Sequence, residues 1–390
     1  MRVLIIMPWI RQGGAELIAV ETAFYLGKLG HKVKLAALFV DTSKMNKRSR
    51  EIDYVTPSGW VSALCRKSKW FLYFLGPFFL FFLVLKSAWK TDVLFPHSLP
   101  AHWIASVVSK IMMKPGVWLG HEPPARVSFK DAKALGWADF IMWFVADSFL
   151  DRFFSTGIQR IIVHSDTTAR EVAERYGKDP KIIHLGVDFE FFSKKVPQDV
   201  KILKRKYRLG SKFVLLMVGK LRPQKNQRLG IEILAKLVGE IPQARLVLVG
   251  DGPDERELKV SDKVIFAGFC SPEKVRTWYH LCDLVLFPAL PQVSGTKQSW
   301  GFIPIEALCA KKLSIVSEGS GVAEVLGKEK IGIISPPNAE EFSWRILEFY
   351  RSSSKFKALT EKGFNYVRDN LFWEKYAEQI VEVLEKSTDE

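Results

Sequence analysis

Cysteine is scarce. The chain holds four, Cys65, Cys270, Cys282 and Cys309, with no paired or metal-ligand spacing. That excludes a disulfide framework and a structural zinc site, and free thiols in a reducing compartment are expected. Acid is in deficit, with 42 Asp and Glu against 57 Lys and Arg and a net charge of +15. Such a balance calls for a polyanionic neighbour, either a phosphorylated substrate or an anionic membrane surface. Nucleic acid is not expected, because no zinc-finger spacing or RNA-binding signature is present. No GxGxxG follows a strand pattern, which argues against a dinucleotide cofactor. No acidic triplet of the Asp-x-Asp kind is present, so neither a metal nor another cofactor is expected. No uncharged apolar run reaches the ~20 residues of a bilayer span. A cleavable leader is not expected either, since residues 1–7 run straight into a strand pattern.

What is present is a long chain, 390 residues and 48% hydrophobic, which points to two folded domains. Short apolar runs alternate with helical patterns, as in parallel α/β sheets. The first run, 2–7, is followed by Gly13 and Gly14, a helical stretch to Leu29 and a second strand at 32–39. Glycines at such a turn let a substrate approach the backbone. They equally suit a plain helix start. Strands at 93–97 and 117–121 each end in a histidine, His97 and His121, at the edge where open α/β sheets bind ligands. A further strand at 161–165 ends in His164-Ser165.

The strand pattern restarts at 213–218, and its exit, Gly219 to Asn226, carries Lys220, Arg222 and Lys225. Three cations on a glycine turn suit a diphosphate. A solvated basic loop is the alternative. The stretch Gln298 to Glu324 centres on the turn Gly301-Phe302-Ile303 and on Glu306 within the apolar run behind it. A helix start there would form an anion site, with the carboxylate placed for a ribose diol. An ordinary core helix with one satisfied acid remains open.

Two aromatic stretches stand apart. Residues 70–85 carry no charge and are dense in Phe, with Lys67, Lys69, Lys86 and Lys90 at their ends. A span here would split one sheet across the membrane, so an interfacial segment is expected. Trp70, Phe74, Phe78, Phe79 and Phe82 would form its apolar face. Residues 135–154 are expected to form an amphipathic helix with Asp139, Asp147 and Asp151 at helical intervals and its apolar side in the core.

These motifs, in this order, resemble the retaining GT-B glycosyltransferases of family 4. The resemblance implies two Rossmann-like α/β domains facing a central cleft. An acceptor-side domain would occupy 1–195, with a membrane-associating segment at 66–90. A nucleotide-sugar domain would occupy 196–372, and the helix at 373–390 would cross back to the first domain. It further implies that Glu306 binds the nucleotide ribose and that the Gly301-Phe302-Ile303 turn lies on the donor. Lys225, with Lys220 and Arg222, would hold the diphosphate. His121 would lie near the transferred sugar, and Gly13 and Gly14 would face donor and acceptor. The family's first acidic position is occupied by Gln298, an amide of the same size without charge. The implied activity is metal-independent, retaining transfer of a hexose-type sugar from a UDP- or GDP-sugar. The acceptor would be a lipid-linked or other glycan at the cytoplasmic face of the membrane. A non-transferring nucleotide-sugar-binding subunit and a GT-B sugar-nucleotide epimerase are the alternatives.

Overall fold

The computed structural model describes residues 1–43, 45–121, 136–146, 149–259, 261–290 and 300–389. Two compact units emerge, Met1–Leu185 with Trp373–Glu390, and Gly186–Gln292 with Trp300–Phe372.

In the first unit the apolar runs become β1 (Arg2–Ile6), β2 (Lys32–Ala36), β3 (Tyr54–Val55) and β4 (Val93–Pro96), all parallel in the order β3-β2-β1-β4. Leu4, Ile5 and Ile6 are wholly buried. Runs without polar alternation follow from a sheet covered on both faces. A second parallel set, β5 (Val117–Leu119), β6 (Arg160–Val163) and β7 (Lys181–Ile182), continues from β4 through single bridges at Leu94–Gly116 and His97–Leu119. Helix Trp373–Thr388 packs on helix Gly14–Lys28, with Tyr25 and Trp373 stacked at 6.4 Å.

The second unit is one parallel sheet in the order β10-β9-β8-β11-β12-β13. Its strands are β8 (Phe213–Val218), β9 (Ala244–Val249), β10 (Val264–Gly268), β11 (Leu284–Phe287), β12 (Ser314–Ser317) and β13 (Ile333–Ser335). Residues 186–195, expected in the first domain, pack here instead. Arg276 donates to the Phe191 carbonyl at 3.3 Å, and His280 meets that of Phe192 at 2.9 Å. No local pattern signals this, because the partners lie more than eighty residues away in sequence.

The first aromatic stretch is a π-helical turn, Phe71–Leu75, running directly into helix Gly76–Ala88. Gly76 does not interrupt it. A side chain there would strike Leu38, so glycine lets the segment lie on the core. The run 71–88 has the length and apolarity of a membrane span. Its stripe Leu72, Leu80, Val84, Ala88 is nonetheless packed in the unit's own core. The opposite stripe faces outward, with Trp70 51%, Phe74 48%, Phe78 60% and Phe82 51% exposed. Phe79, expected among them, is half-buried against Phe71 and Trp60, at 5.9 and 5.6 Å.

The second aromatic stretch departs further from expectation. Its described residues are helical over Trp137–Ala146 and Phe149–Phe154, and Trp137, Phe144 and Phe153 lie exposed while Phe140 is buried. Asp139 accepts from Lys69 at 2.6 Å and from Tyr73 at 2.7 Å, tying it to the first stretch.

Asp151 is not on a polar face at all. It is wholly buried and accepts from Trp103 (2.7 Å), Arg175 (2.9 Å) and Tyr176 (2.6 Å), with His102 Nε2 at 3.1 Å. Burial pushes its pKa up, but the bond and charge of His102, with the bonds from Tyr176 and Trp103, outweigh it and hold the carboxyl at about 2. This carboxylate therefore joins the helices Ala101–Met112, Phe149–Phe154 and Asp166–Tyr176. Because its folded pKa lies below the unfolded one, its stabilisation is present above pH ~4 and lost as pH falls toward 2. Asp151→Asn is expected to destabilise the first unit by about 3 kcal/mol or more, since it leaves a buried cation uncompensated. Urea unfolding at pH 7 should show the loss, and the difference from wild type should shrink at pH 2–3. An unchanged midpoint at pH 7 would mean the network contributes nothing.

Candidate functional site

The second unit gathers its chemistry where strand order reverses, between β8 and β11. The exits of β8, β9 and β10 are stitched together by backbone bonds: Gly219 N donates to Val249 O, Leu221 N to Asp251 O and Gly250 N to Gly268 O, all at 2.8–2.9 Å. Gly250 has φ +139°, and a side chain on it would strike the Gly219 carbonyl. The β11 exit is tied to the same edge, because Leu290 N donates to Gln224 O at 3.0 Å and Asn226 Nδ2 to Pro288 O at 3.2 Å.

Lys225 closes the turn Pro223–Lys225. Its side chain runs beside Gly219, and its ammonium sits 5.7 Å from the centre of the Phe287 ring. The same ring packs against Gly301, where any side chain would collide with it. Lys225, Phe287 and the Gly301 turn are thus brought together from three separate parts of the chain. Lys220 and Arg222 share the loop and are exposed. The Lys220 carbonyl is held by the buried Gln227 amide at 2.9 Å. No side-chain hydrogen bond caps the start of the helix Phe302–Cys309, and Pro304 in its first turn has no N–H.

Glu306 stands on that helix, partly covered, and its Oε2 accepts from Tyr279 Oη at 2.6 Å. Burial pushes the carboxyl up, the tyrosine bond pulls it down, and the result is about 7. Near neutrality it is balanced between acid and carboxylate. Tyr279 itself is wholly buried on helix Pro272–Leu281. Sequence reading missed it, because one tyrosine in an amphipathic helix carries no distinguishing signal. Gln298 lies outside the described residues.

The first unit assembles its own set at the exits of β1, β4, β5 and β6. Gly13 packs against the Glu16 carboxylate, while the space a Gly14 side chain would enter is open. Glu16 is buried and accepts from Trp9 Nε1 at 2.9 Å, a contact not anticipated from sequence. His97, His121 and His164 come from three neighbouring strands, with ring centres 5.6 Å apart for His97–His121 and 5.5 Å for His121–His164. Burial and the neighbouring imidazoles lower His97 to about 3 and His121 well below the usual range. Burial brings His164 to about 4, against the raising bond to the Ile183 carbonyl. All three are therefore neutral at physiological pH. Both ring nitrogens of His97 and Nε2 of His121 are buried without a hydrogen-bond partner among the described residues.

Two family models match successive halves of the chain: Glycosyltransferase Family 4 over residues 12–191 and Glycosyl transferases group 1 over residues 199–366. The human alpha-1,3/1,6-mannosyltransferase ALG2 is 23% identical, over 98% of this chain and 95% of its own length. A GDP-mannose-dependent monoacylated alpha-(1-6)-phosphatidylinositol monomannoside mannosyltransferase of Corynebacterium glutamicum is 22% identical, over 76% of this chain and 83% of its own. Among solved structures, Anabaena HepE in complex with UDP and glucose superposes with a TM-score of 0.76 at 18% identity, covering 99% of this chain and all of that one. The sheet orders, the edge chemistry of each unit and these matches agree, and the chain belongs to the GT-B glycosyltransferases of family 4.

Proposed function

We propose that this glycosyltransferase moves a hexose, with retention and without a metal, from a nucleotide-sugar to a lipid-linked acceptor at the cytoplasmic face of a membrane. The observation that carries the donor half is the second unit's edge. There a partly covered carboxyl bonded to one tyrosine stands behind a turn that packs, through Phe287, on Lys225. Glu306 would accept from the ribose hydroxyls, and Lys225 would meet the charge that grows on the leaving diphosphate in place of a divalent cation. Lys220 and Arg222, exposed on the same loop, would reach the diphosphate from outside. GDP-mannose is the first donor to test, because relatives bear that dependence in their names. His121 and the open face of Gly14 would receive the sugar and the acceptor.

The membrane half rests on the outward stripe of Trp70, Phe74, Phe78 and Phe82. β1 and β4, which precede and follow this segment, pair directly from Val3–Val93 to Ile6–Pro96, so both of its ends return to one sheet. A folded unit of this kind lies on a bilayer rather than through it. Phenylalanines supply the apolar part of binding, and each lysine near an anionic leaflet adds ~1 kcal/mol that salt screens.

Three outcomes follow. Binding a ribose diol favours the carboxylate, so donor binding should draw a proton off Glu306. GDP-mannose affinity is expected to strengthen by up to about tenfold from pH 6 to pH 8. Titration calorimetry in buffers of different ionisation enthalpy should record proton release, and Glu306→Gln should remove both effects. A pH-independent affinity in the wild type would contradict the ribose assignment.

Lys225→Ala should lower kcat at least about a hundredfold, as loss of one charge-stabilising donor does, whereas Lys220→Ala should cost much less. Wild-type turnover should persist in EDTA. Equal, small losses in both variants would reduce the loop to a solvated basic turn, and loss of activity in EDTA would overturn metal independence.

Wild-type protein is expected to float with phosphatidylserine-containing vesicles and to dissociate partly in high salt. Replacing Phe74, Phe78 and Phe82 together by Ser should abolish flotation and leave GDP-mannose affinity unchanged, because those side chains lie on the stripe opposite the core. A wild type that stays with the soluble fraction at low salt would remove the membrane assignment.

A further inference from the structure

The three histidines at the first unit's sheet edge have a determinable arrangement of protons. His164 Nδ1 lies 3.0 Å from the Ile183 carbonyl oxygen, which can only accept, so the proton is on Nδ1. His164 is neutral, so its Nε2 is a bare acceptor. That nitrogen lies 3.3 Å from His121 Nδ1. His121 must therefore donate from Nδ1, and being neutral it keeps a bare lone pair on Nε2. The orientation of the far end of the chain is thus set by one backbone carbonyl, two residues removed through hydrogen bonds.

A second observation points to a guest. His121 Nε2 and both nitrogens of His97 are buried and have no partner among the described residues. His97 is wholly buried. Buried polar atoms are normally satisfied, and leaving them bare is costly. Neutral His97 carries one N–H and one lone pair, so the pair of rings offers acceptors together with a single donor. An anionic phosphate would find a bare nitrogen where it needs a proton. A hydroxyl, which both donates and accepts, fits.

We infer that His164 is a positioning residue that fixes His121 in its Nδ1–H tautomer, so that Nε2 faces the substrate as an acceptor for a sugar hydroxyl and against phosphate. This rests on the reading that His121 lies beside the transferred sugar. Fixing the tautomer in advance makes the sugar hydroxyl the donor to Nε2 and leaves its lone pairs for other partners, while a phosphate, which can only accept, finds no proton there.

Nitrogen-15 NMR of the histidine-labelled full chain tests the tautomer without turnover. Wild-type His121 should show a pyridine-type Nε2 and a pyrrole-type Nδ1. His164→Leu removes the acceptor and should redistribute the His121 tautomers, lowering kcat/KM with GDP-mannose by roughly tenfold, the worth of one hydrogen bond. His164→Gln can accept through its amide oxygen and should restore both the spectrum and the rate, which a purely space-filling role would not require. If His164→Leu does not fold, the wild-type spectrum and the Gln variant decide between the two roles. A protonated Nε2 in the wild type, or a Leu variant with unaltered spectrum and rate, overturns the inference. His121→Ala with undiminished turnover, alongside the expected wild-type spectrum, would instead remove the substrate-side reading on which the tautomer's purpose rests.

Discussion

In both units the strands on either side of the reversal in strand order are hydrogen-bonded in parallel, β1 with β4 from Val3–Val93 to Ile6–Pro96, and β8 with β11 at Leu284–Leu215 and Val285–Leu216. Parallel strands all end at the same edge, and the chain leaves neighbouring strands in opposite directions at the reversal. Both candidate clusters lie at the edge that this pairing defines. It brings Gly14 to the same edge as His97 in the first unit, and Lys225 to the same edge as Gly301 in the second. Close backbone approaches then lock the exits. Gly250 sits on the Gly219 carbonyl, and Gly301 sits on Phe287. Side chains at these points would push the edge apart before any ligand arrived.

Asp151, Glu306 and the histidines at the first unit's edge differ in how far their polar atoms are satisfied. Asp151 is surrounded by four donors and is held at about 2, so its charge is fully accommodated and it braces three helices. Glu306 has Tyr279 as its donor and is raised to about 7. The histidines at the first unit's edge keep bare nitrogens. A low-dielectric interior rewards complete satisfaction and penalises its absence. Under the proposed function the remaining partners of Glu306, His97 and His121 would come with the substrate.

The aromatic segment shows the same logic in hydrophobic terms. The segment carries two stripes, Leu80-Val84-Ala88 packed inward and Phe78-Phe82 turned outward, the second continuing from Phe74 within the π-helical turn. The inward stripe belongs to the core of the unit. The outward one has no counterpart in that core. Asp139, bonded to Lys69 and Tyr73, draws the helix Trp137–Ala146 against this segment and adds Trp137 and Phe144 to the exposed apolar surface.

The sequence by itself determined most of the strands and the candidate residues at their exits. Short apolar runs bounded by turn residues read as buried parallel strands, and glycine turns and histidines follow at their ends. Gly13, Gly14, His121 and Lys225 were legible as residues of strand exits for that reason, and Gly301 and Glu306 as the start of a helix. Tertiary structure decided everything that depends on residues distant in sequence. Tyr279 on Glu306 and Phe287 between Lys225 and Gly301 left no local trace. The helical spacing of Asp139 and Asp151 suggested a solvated face, yet Asp151 lies in the core, because four partners from other helices outweigh its desolvation. Phe79 looked equivalent to Phe78 and Phe82, and only packing against Phe71 and Trp60 made it different. Periodicity records which residues share a face. Which face finds a partner, and which buried group finds a donor, is fixed only when the chain closes on itself.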